Sequence, residues 1–281
     1  MTKTVPGCSP ETNLQVYDAP HVVSYYASLN YLTPCERLLF DCYIKPGSDI
    51  LDLGVGGGRT TAYLAGRSSH YVGADYAPAM VQACQAKFPT LPFKVADGAD
   101  LSAFREESFD AVVFAFNGID FVLPSAARRA CLGHICRILK PGGVLIFSSH
   151  NPRAILVWRG WNRERLEGMA HKFSGRFALL YPGLVAALTG ARAGLALGQS
   201  LWSSLLRFFR RIPSRTFWRG EGNLADTAHG GLLTHYWIPE RAIDEVTGLH
   251  FRIERIAGNE YPRMHCEYAT DWYYYVFAKR G

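Results

Sequence analysis

The chain has 281 residues, of which 48% are hydrophobic and 19% charged, so it can bury one full-sized core and is not globally disordered. Its net charge of +6 belongs to one segment, because residues 151–231 hold 12 Lys and Arg against 4 Asp and Glu, which leaves −2 for the remainder. The charge therefore does not indicate a basic surface spread over the whole molecule.

The beginning of the chain predicts an N-terminal helical segment over residues 1–48, with one helix from Pro34 to Tyr43. Residues 1–18 have no apolar run behind a basic start, so neither a secretory signal nor a transit peptide is indicated and a cytoplasmic location is expected. The seven cysteines form no CxxC pair and no Cys/His cluster of zinc-ligand spacing. We interpret most of them as reduced core side chains and expect no metal site.

Between residues 49 and 150, short apolar runs alternate with helical patterns, as in stacked βα units that form a parallel sheet. Five strands are predicted there: Ile50–Leu53, Tyr71–Ala74, Pro92–Ala96, Ala111–Phe116 and Val144–Phe147. Helices are predicted to start at Pro78 and Pro124, because proline suits the first helical turn. Pro89 and Pro141 end them, because proline cannot continue a helix.

The alternation then fails for about eighty residues, and we predict an insertion over residues 151–231. A helix and two strands are predicted after it: Pro239–Thr247, His250–Ile256 and Trp272–Ala278. Residues 49–150 and 232–281 together predict one α/β domain with a doubly wound, mostly parallel, seven-stranded sheet.

A strand, a glycine turn and a helix start follow one another in residues 50–61. Glycines let the backbone approach a ligand, and the N–H groups of the following helix face the carboxyl edge of the sheet. A dinucleotide-binding fingerprint from Gly54 and Gly56 would need glycine at position 59, where the chain has Arg59. Asp52 at the strand end suits a cationic cofactor better than a pyrophosphate. The loop therefore predicts a ligand site and disfavours a nucleotide-dependent oxidoreductase.

Five motifs then follow in a fixed order: Asp52-x-Gly54-x-Gly56-x-Gly58, Gly73-Ala74-Asp75-Tyr76 with Met80, Asp97-Gly98, Ser108-Phe109-Asp110 and Leu139-Lys140-Pro141-Gly142-Gly143. In this order and spacing the chain resembles the class I S-adenosylmethionine-dependent methyltransferases, over about residues 49–150 and 232–278. The resemblance implies a Rossmann-like fold, S-adenosylmethionine as cofactor and an enzyme that transfers a methyl group.

The resemblance also implies a role for each motif residue. Asp52 and Gly54 would lie near the methionine end of the cofactor, and Gly56 and Gly58 would allow its close approach. Asp75 would hold both ribose hydroxyls, although it could instead only cap the next helix. Tyr76 and Met80 would flank the adenine, and Asp97, with Gly98, would contact its exocyclic amine. The backbone of Ala115 or Phe116 would contact the methionine moiety. Met80 could instead be a core residue that does not contact the cofactor.

A methyl acceptor is expected outside the carboxyl ends of the strands, beside the cofactor. An amine need only arrive deprotonated, whereas a hydroxyl usually requires a general base, most often His or a carboxylate. The candidates at these strand ends are Asn117, Asp120, His150 and His235, for which hydrogen bonds that fix a loop are the alternative role. His134 is interpreted as a helix-surface residue.

The predicted insertion contains two uncharged stretches, residues 177–191 and 193–206, followed by five arginines within residues 207–219. Each stretch is too short for a membrane span. Glycines interrupt both stretches, and Pro182 also interrupts the first. Three interpretations are open: a helical lid over the active site, a lid that also docks residues 177–219 on an anionic membrane or a lipid-linked acceptor, or RNA binding. No recognised RNA-binding motif supports the last.

The sequence therefore predicts S-adenosylmethionine-dependent methyl transfer to oxygen or nitrogen of a small-molecule or lipid-linked acceptor. Peripheral membrane contact through the insertion is an additional expectation, nucleic acid is a disfavoured partner, and no feature specifies an oligomeric state. The alternatives are an RNA methyltransferase and a binding protein that keeps the cofactor fold without catalysis.

Overall fold

The computed structural model describes residues 10–151, 221–226, 232–262, 270 and 272–281. The described strands are β1 (Ser48–Leu53), β2 (Ser68–Asp75), β3 (Phe93–Val95), β4 (Phe109–Phe114), β5 (Leu139–His150), β6 (Glu221–Asp226), β7 (Leu232–Trp237), β8 (Phe251–Gly258) and β9 (Trp272–Lys279). Seven of them form one sheet in the order β3-β2-β1-β4-β5-β9-β8. In it β1 to β5 are parallel, and β9 runs antiparallel to β5 and β8. The predicted doubly wound, mostly parallel sheet is confirmed.

The described helices are α1 (Pro10–Tyr17), α2 (Pro20–Ser28), α3 (Pro34–Tyr43), α4 (Thr61–Ala65), α5 (Pro78–Lys87), a 3-10 helix (Gly118–Phe121), α6 (Ser125–Ile138) and α7 (Pro239–Thr247). In α2, α3, α5 and α7 a proline occupies the first turn, where its missing N–H costs nothing. A capping box also fixes the start of α3: Thr33 Oγ1 accepts from the Glu36 N–H, and the Glu36 carboxylate accepts from the Thr33 N–H.

Alternate side chains of the central strands point into two separate cores. Leu51 and Leu53 pack with buried residues of α6 and α7, whereas Ile50 packs with buried residues of α3, α4 and α5. The helices therefore cover both faces of the sheet, as a mostly parallel sheet requires. Among the cysteines, Cys35, Cys84 and Cys131 are fully buried in these cores, in agreement with their predicted packing role.

The strand order reverses between β1 and β4. β1 continues to β2 on one side, and β4 continues to β5 on the other. Successive crossovers therefore leave the centre of the sheet in opposite directions, which opens a crevice outside the carboxyl ends of β1 and β4. This crevice is where the fold can accept a ligand.

The two-stranded sheet is a feature that the sequence does not predict. β6 lies within the predicted insertion and pairs antiparallel with β7, with Asn223 opposite His235. The β6 sequence has no apolar alternation, so only its pairing with β7 identifies it as a strand. β5 also starts earlier than predicted, because Leu139 pairs with Phe109 ahead of a bulge. Predictions for residues 152–220, including the helical lid, lie outside the described residues.

The N-terminal helices are tied to the domain by polar bonds and by one close backbone contact. The Asn13 side-chain amide donates to the Leu233 carbonyl (2.8 Å) and accepts from the Leu233 N–H (2.9 Å). Lys87 Nζ donates to the Ala27 carbonyl at 2.9 Å. At Gly57 a Cβ would lie 2.2 Å from the Ala27 nitrogen. The end of α2 therefore lies directly on the glycine loop.

We expect Gly57→Ala to lower the free energy of unfolding by about 1–3 kcal/mol, because the added methyl would push the Ala27 backbone away. Gly133→Ala is the matched control: nothing lies within 4 Å of its Cβ position in α6, so it should raise stability by about 0.4–1 kcal/mol. Urea unfolding followed by circular dichroism measures both. Equal effects of the two substitutions would contradict the close contact.

Candidate functional site

A cavity of about 320 Å³ lies in the crevice at the strand ends, a size typical of a small-molecule site. Four loops contribute to its walls: residues 52–57, 59 and 60 after β1, residues 75, 76 and 80 after β2, residues 96–99 after β3, and residues 114–116, 118 and 121–123 after β4. Most of the predicted cofactor residues therefore line one cavity.

Two glycines of the loop after β1 are required by the shape of the cavity floor. Gly54 and Gly56 both have positive φ, +64° and +55°, and a Cβ at Gly54 would lie 2.6 Å from the Phe114 ring. Gly58 differs from its prediction, because it does not line the cavity. A Cβ there would lie 2.8 Å from the Phe88 ring, so this glycine allows the loop to pack against the C-terminal end of α5.

Asp75 ends β2 on the cavity wall and is only 6% exposed. One carboxylate oxygen accepts from the Gly56 N–H at 2.8 Å, and the other accepts from the Ala77 N–H at 3.0 Å. The Ala77 bond lies ahead of α5, and the Ala79 N–H in its first turn donates to Asp18, so the described bonds do not support the alternative helix-capping role. Burial raises the pKa of the Asp75 carboxyl to about 6 despite these bonds. The side chain thus carries a poorly solvated negative charge beside the cavity at neutral pH.

Asp52 is a second buried carboxylate on the same wall and is 1% exposed. Its Oδ2 accepts from Thr60 Oγ1 at 2.7 Å and from the Tyr71 hydroxyl at 2.9 Å. Burial raises the pKa of Asp52 to about 6, and the two hydroxyl donors oppose that rise. The cavity therefore has two desolvated carboxylates, which favours a ligand that brings donors or positive charge.

The residues predicted around the adenine all line the cavity: Tyr76, Met80, Asp97 and Gly98. The Tyr76 hydroxyl is buried and has no hydrogen-bond partner among the described residues. Met80 lines the cavity and is also packed in a small apolar cluster with Val22, so its position fits either of its two predicted roles. An orphaned hydroxyl beside an apolar wall suits a flat ligand with polar edges.

The chain after β4 has an unusual backbone. Ala115 and Phe116 line the cavity as predicted, and both Phe116 and Asn117 have positive φ, 56° and 64°. Two consecutive non-glycine residues in this region are strained, which is typical of functional sites. The Asn117 N–H donates to Ser148 Oγ at 2.7 Å and helps to hold this turn against β5.

Arg59 lines the cavity and is 8% exposed, a role that the sequence analysis missed. Its guanidinium forms two bonds with the Glu36 carboxylate of α3, at 2.7 and 2.5 Å, and it also donates to the Tyr31 carbonyl. The Phe116 ring centroid is 4.7 Å from its Cζ. The charge of Arg59 is therefore compensated, and the ion pair ties α3 to the glycine loop.

The N-terminal helices supply a further wall that no motif indicated. Asn13, Leu14 and Tyr17 of α1 and Tyr26 of α2 line the cavity. The Tyr17 ring packs edge-on against Phe121, at a centroid distance of 5.6 Å. The local sequence of α1 and α2 gives no sign of this role, because their contacts are with residues far along the chain.

Three of the four predicted acceptor-side residues form one group. Asp120 Oδ2 accepts from the His150 backbone N–H at 2.8 Å and lies 2.7 Å from His150 Nδ1. Asn117 Nδ2 lies 3.3 Å from His150 Nε2. The His150 ring contacts Phe121, which lines the cavity. Burial raises the pKa of the fully buried Asp120, and its bonds with His150 oppose this shift.

His235, the fourth candidate, lies apart from this group in β7. Its Nδ1 lies 2.9 Å from Asn223 Oδ1, and its Nε2 has no partner among the described residues. Burial, and secondarily the charge of Arg128, lowers the pKa of His235 to about 3, so the ring is neutral at physiological pH. Its described contacts favour a role in holding the two-stranded sheet together.

In the described part of the chain, no helix combines the length and apolar character that crossing a membrane requires. The two uncharged stretches of the insertion lie outside the described residues.

Residues 50–143 match a family model described as a methyltransferase domain. A demethylmenaquinone methyltransferase of Clavibacter sepedonicus is 36% identical over 120 residues, which are 41% of this chain and 47% of that protein. A demethylmenaquinone methyltransferase of Paenarthrobacter aurescens is 27% identical over 146 residues, which are 52% of this chain and 56% of that protein. The chain thus spans about half the length of the curated relatives it matches.

Solved structures resemble the chain over a larger part of its length. The 1,6-didemethyltoxoflavin-N1-methyltransferase of Burkholderia thailandensis, solved with 1,6-didemethyltoxoflavin and S-adenosylhomocysteine, has a TM-score of 0.56 and 14% identity. The match covers 99% of this chain and 93% of that one. At this identity the likeness shows the fold alone. With the matched domain and the order of the strands, it gives the chain a methyltransferase domain on a class I Rossmann-like fold.

Proposed function

We propose that this protein transfers a methyl group from S-adenosylmethionine to oxygen or nitrogen of a small-molecule or lipid-linked acceptor. The observation that carries the proposal is the cavity at the point of strand reversal, where Asp52, Asp75 and the glycine loop meet. The names of the relatives, demethylmenaquinone methyltransferases, support a lipid-like small molecule as the acceptor.

The residues of the cavity fit this cofactor. Asp75 would accept from the ribose hydroxyls, and the desolvated Asp52 carboxylate suits the end that carries the ammonium group. The orphaned Tyr76 hydroxyl and Asp97 would face the adenine end. When bound, S-adenosylmethionine supplies an electrophilic methyl group on sulfur. The protein then has to align the acceptor and exclude water.

His150 is the candidate general base for a hydroxyl acceptor. Its Nδ1 faces the buried Asp120 carboxylate, which fixes the orientation of the ring. Its Nε2 faces the Asn117 amide at the turn after β4, and it would accept the acceptor proton after the acceptor hydroxyl replaces that amide as its donor. For an amine acceptor, which arrives deprotonated, the same group would only orient the substrate.

We expect S-adenosylmethionine to bind and NAD not to bind, with an affinity that depends on pH. Burial holds the pKa of Asp75 at about 6 in the free protein, and ribose hydroxyls donate to the ionised carboxylate, so binding should lower this pKa. Affinity should therefore be constant above about pH 7 and fall as pH drops through 6, by up to about tenfold per pH unit for one linked proton. Isothermal titration calorimetry from pH 5 to 8 measures this.

Asp75→Asn should weaken cofactor binding at pH 7.5 by about 1–3 kcal/mol and make the loss below pH 6 shallower, with Asp52 accounting for the remainder. Asp49→Asn is the control, because Lys140 and the other donors hold the pKa of Asp49 at about 2 and it stays ionised throughout the range. Binding of NAD alone, or the same pH dependence in the Asp75 variant, would contradict the assignment.

Substitution of the proposed base should reduce methyl transfer to hydroxyl acceptors without affecting the cofactor. We expect His150→Ala to lower kcat by about 10²–10⁴-fold, and Asp120→Asn to lower it by about tenfold or more. The cofactor Kd should stay unchanged in both variants. The assay follows labelled methyl transfer to a panel of phenols, naphthoquinols and amines. His134→Ala on α6 is the matched control and should leave activity unchanged. A loss below threefold with His150→Ala on a hydroxyl acceptor would refute the base.

The membrane-docking proposal rests on the composition of residues 151–231, which combine a charge of +8 with two uncharged stretches. Each basic residue near an anionic surface contributes about 1 kcal/mol. We expect the protein to co-sediment with liposomes that contain anionic lipid, and binding should decrease when five arginines become glutamine: Arg207, Arg210, Arg211, Arg215 and Arg219. The control variant changes five exposed basic residues elsewhere to glutamine: Lys45, Lys94, Arg105, Arg129 and Arg252.

Equal losses in the two charge variants would show that only net charge matters. No binding at low salt would leave the insertion without a membrane role. A steep salt dependence of RNA binding, with methylation of that RNA, would favour the alternative RNA methyltransferase. Cofactor binding without turnover on any acceptor would favour a non-catalytic binding protein.

A further inference from the structure

A chain of buried hydrogen bonds continues behind the proposed base. Ser149 Oγ donates to Asp120 Oδ1 at 2.6 Å, and Trp237 Nε1 donates to Ser149 Oγ at 2.7 Å. Asp120, Ser149 and Trp237 are all 0% exposed. The bonds link the 3-10 helix, the end of β5 and the end of β7, so residues 120, 149 and 237 come from distant parts of the sequence.

The chemistry of these groups fixes the direction of every bond. An indole N–H can only donate, so Ser149 Oγ must accept from Trp237 and use its own proton toward Asp120. Asp120 Oδ2 already accepts from the His150 backbone N–H. With Asp120 ionised, the short contact from Oδ2 to His150 Nδ1 requires a proton on Nδ1. His150 Nε2 is therefore left unprotonated beside the Asn117 amide, which is the form that a base needs.

We propose that Trp237 and Ser149 are positioning residues for methyl transfer, which act through Asp120 to select the Nδ1–H tautomer of His150. This inference rests on the proposed role of His150 as the base. It also gives β7 a function, since the strand that pairs with β6 supplies the donor at the end of the chain of bonds.

The packing of Trp237 can be separated from its hydrogen bond. The indole ring lies 6.3 Å from the Phe147 ring, and the Arg128 guanidinium lies 4.6 Å from it. Trp237→Phe keeps an aromatic ring for these contacts and removes the N–H together with part of the buried ring volume. Ser149→Ala removes both the donor to Asp120 and the acceptor for Trp237, and therefore leaves one oxygen of a buried carboxylate without its partner.

The test measures the tautomer of His150 by nitrogen-15 NMR of the full-length protein labelled on histidine, with S-adenosylhomocysteine as the ligand. This readout needs no acceptor, so it remains informative if the proposed function fails. In the native chain we expect the Nδ1–H tautomer to dominate. In both variants we expect a mixture of tautomers, because the bonds that hold the Asp120 carboxylate in its orientation toward Nδ1 are lost or weakened.

Where an acceptor is found, kcat should fall about two- to tenfold with Trp237→Phe and further with Ser149→Ala, while the cofactor Kd stays within twofold. Ser48→Ala is the matched control, since Ser48 is a buried serine whose Oγ donates to the Lys45 carbonyl at the opposite end of β1. The native proportion of tautomers in both folded variants would overturn the proposal. The expected change of tautomers without any methyl transfer would refute the enzyme assignment only.

Discussion

The site depends on one constraint, the reversal of strand order between β1 and β4. Crossovers that leave in opposite directions cannot cover the carboxyl ends of both strands, so an open crevice remains in the centre of the sheet. Asp52 and Asp75 end up there with little solvent, and loop amides and hydroxyls supply only part of the stabilisation that water would give. A ligand with donors and positive charge completes their environment.

Much of this arrangement could be predicted, because its signals are local. Apolar runs between proline-marked helices predicted the strands, and spacing within one loop predicted that Asp52, Gly54 and Gly56 share a site. The same spacing could not distinguish Gly58, which faces Phe88, from the glycines that face the cavity. A glycine in a motif indicates that a side chain is not tolerated at that position, but it does not indicate whether a ligand or a neighbouring side chain occupies the space.

The parts that could not be predicted depend on contacts between distant segments. Arg59 pairs with Glu36, and neither local sequence signals a partner. The sequence of β6 does not predict a strand, and only its pairing with β7 identifies it as one. Topology did bring Asn117 and His150 to neighbouring strand ends, which is why these candidates were found to be in contact. His235 was selected for its residue type near a chain return, but its described contacts are with Asn223 and Trp237, and the neighbouring Tyr236 is the β7 residue whose ring contacts His150.

The double hydrogen bond between Asn13 and Leu233 has a consequence for exchange of the bound cofactor. Helix α1 lines the cavity and is hydrogen-bonded to β7, the strand that carries Trp237. A ligand in the cavity would therefore contact a helix that is anchored to this strand. Under the proposed function, the same segment would affect both the residence time of the cofactor and the alignment of the acceptor. A substitution that loosens α1 would then also disturb the strand that carries Trp237.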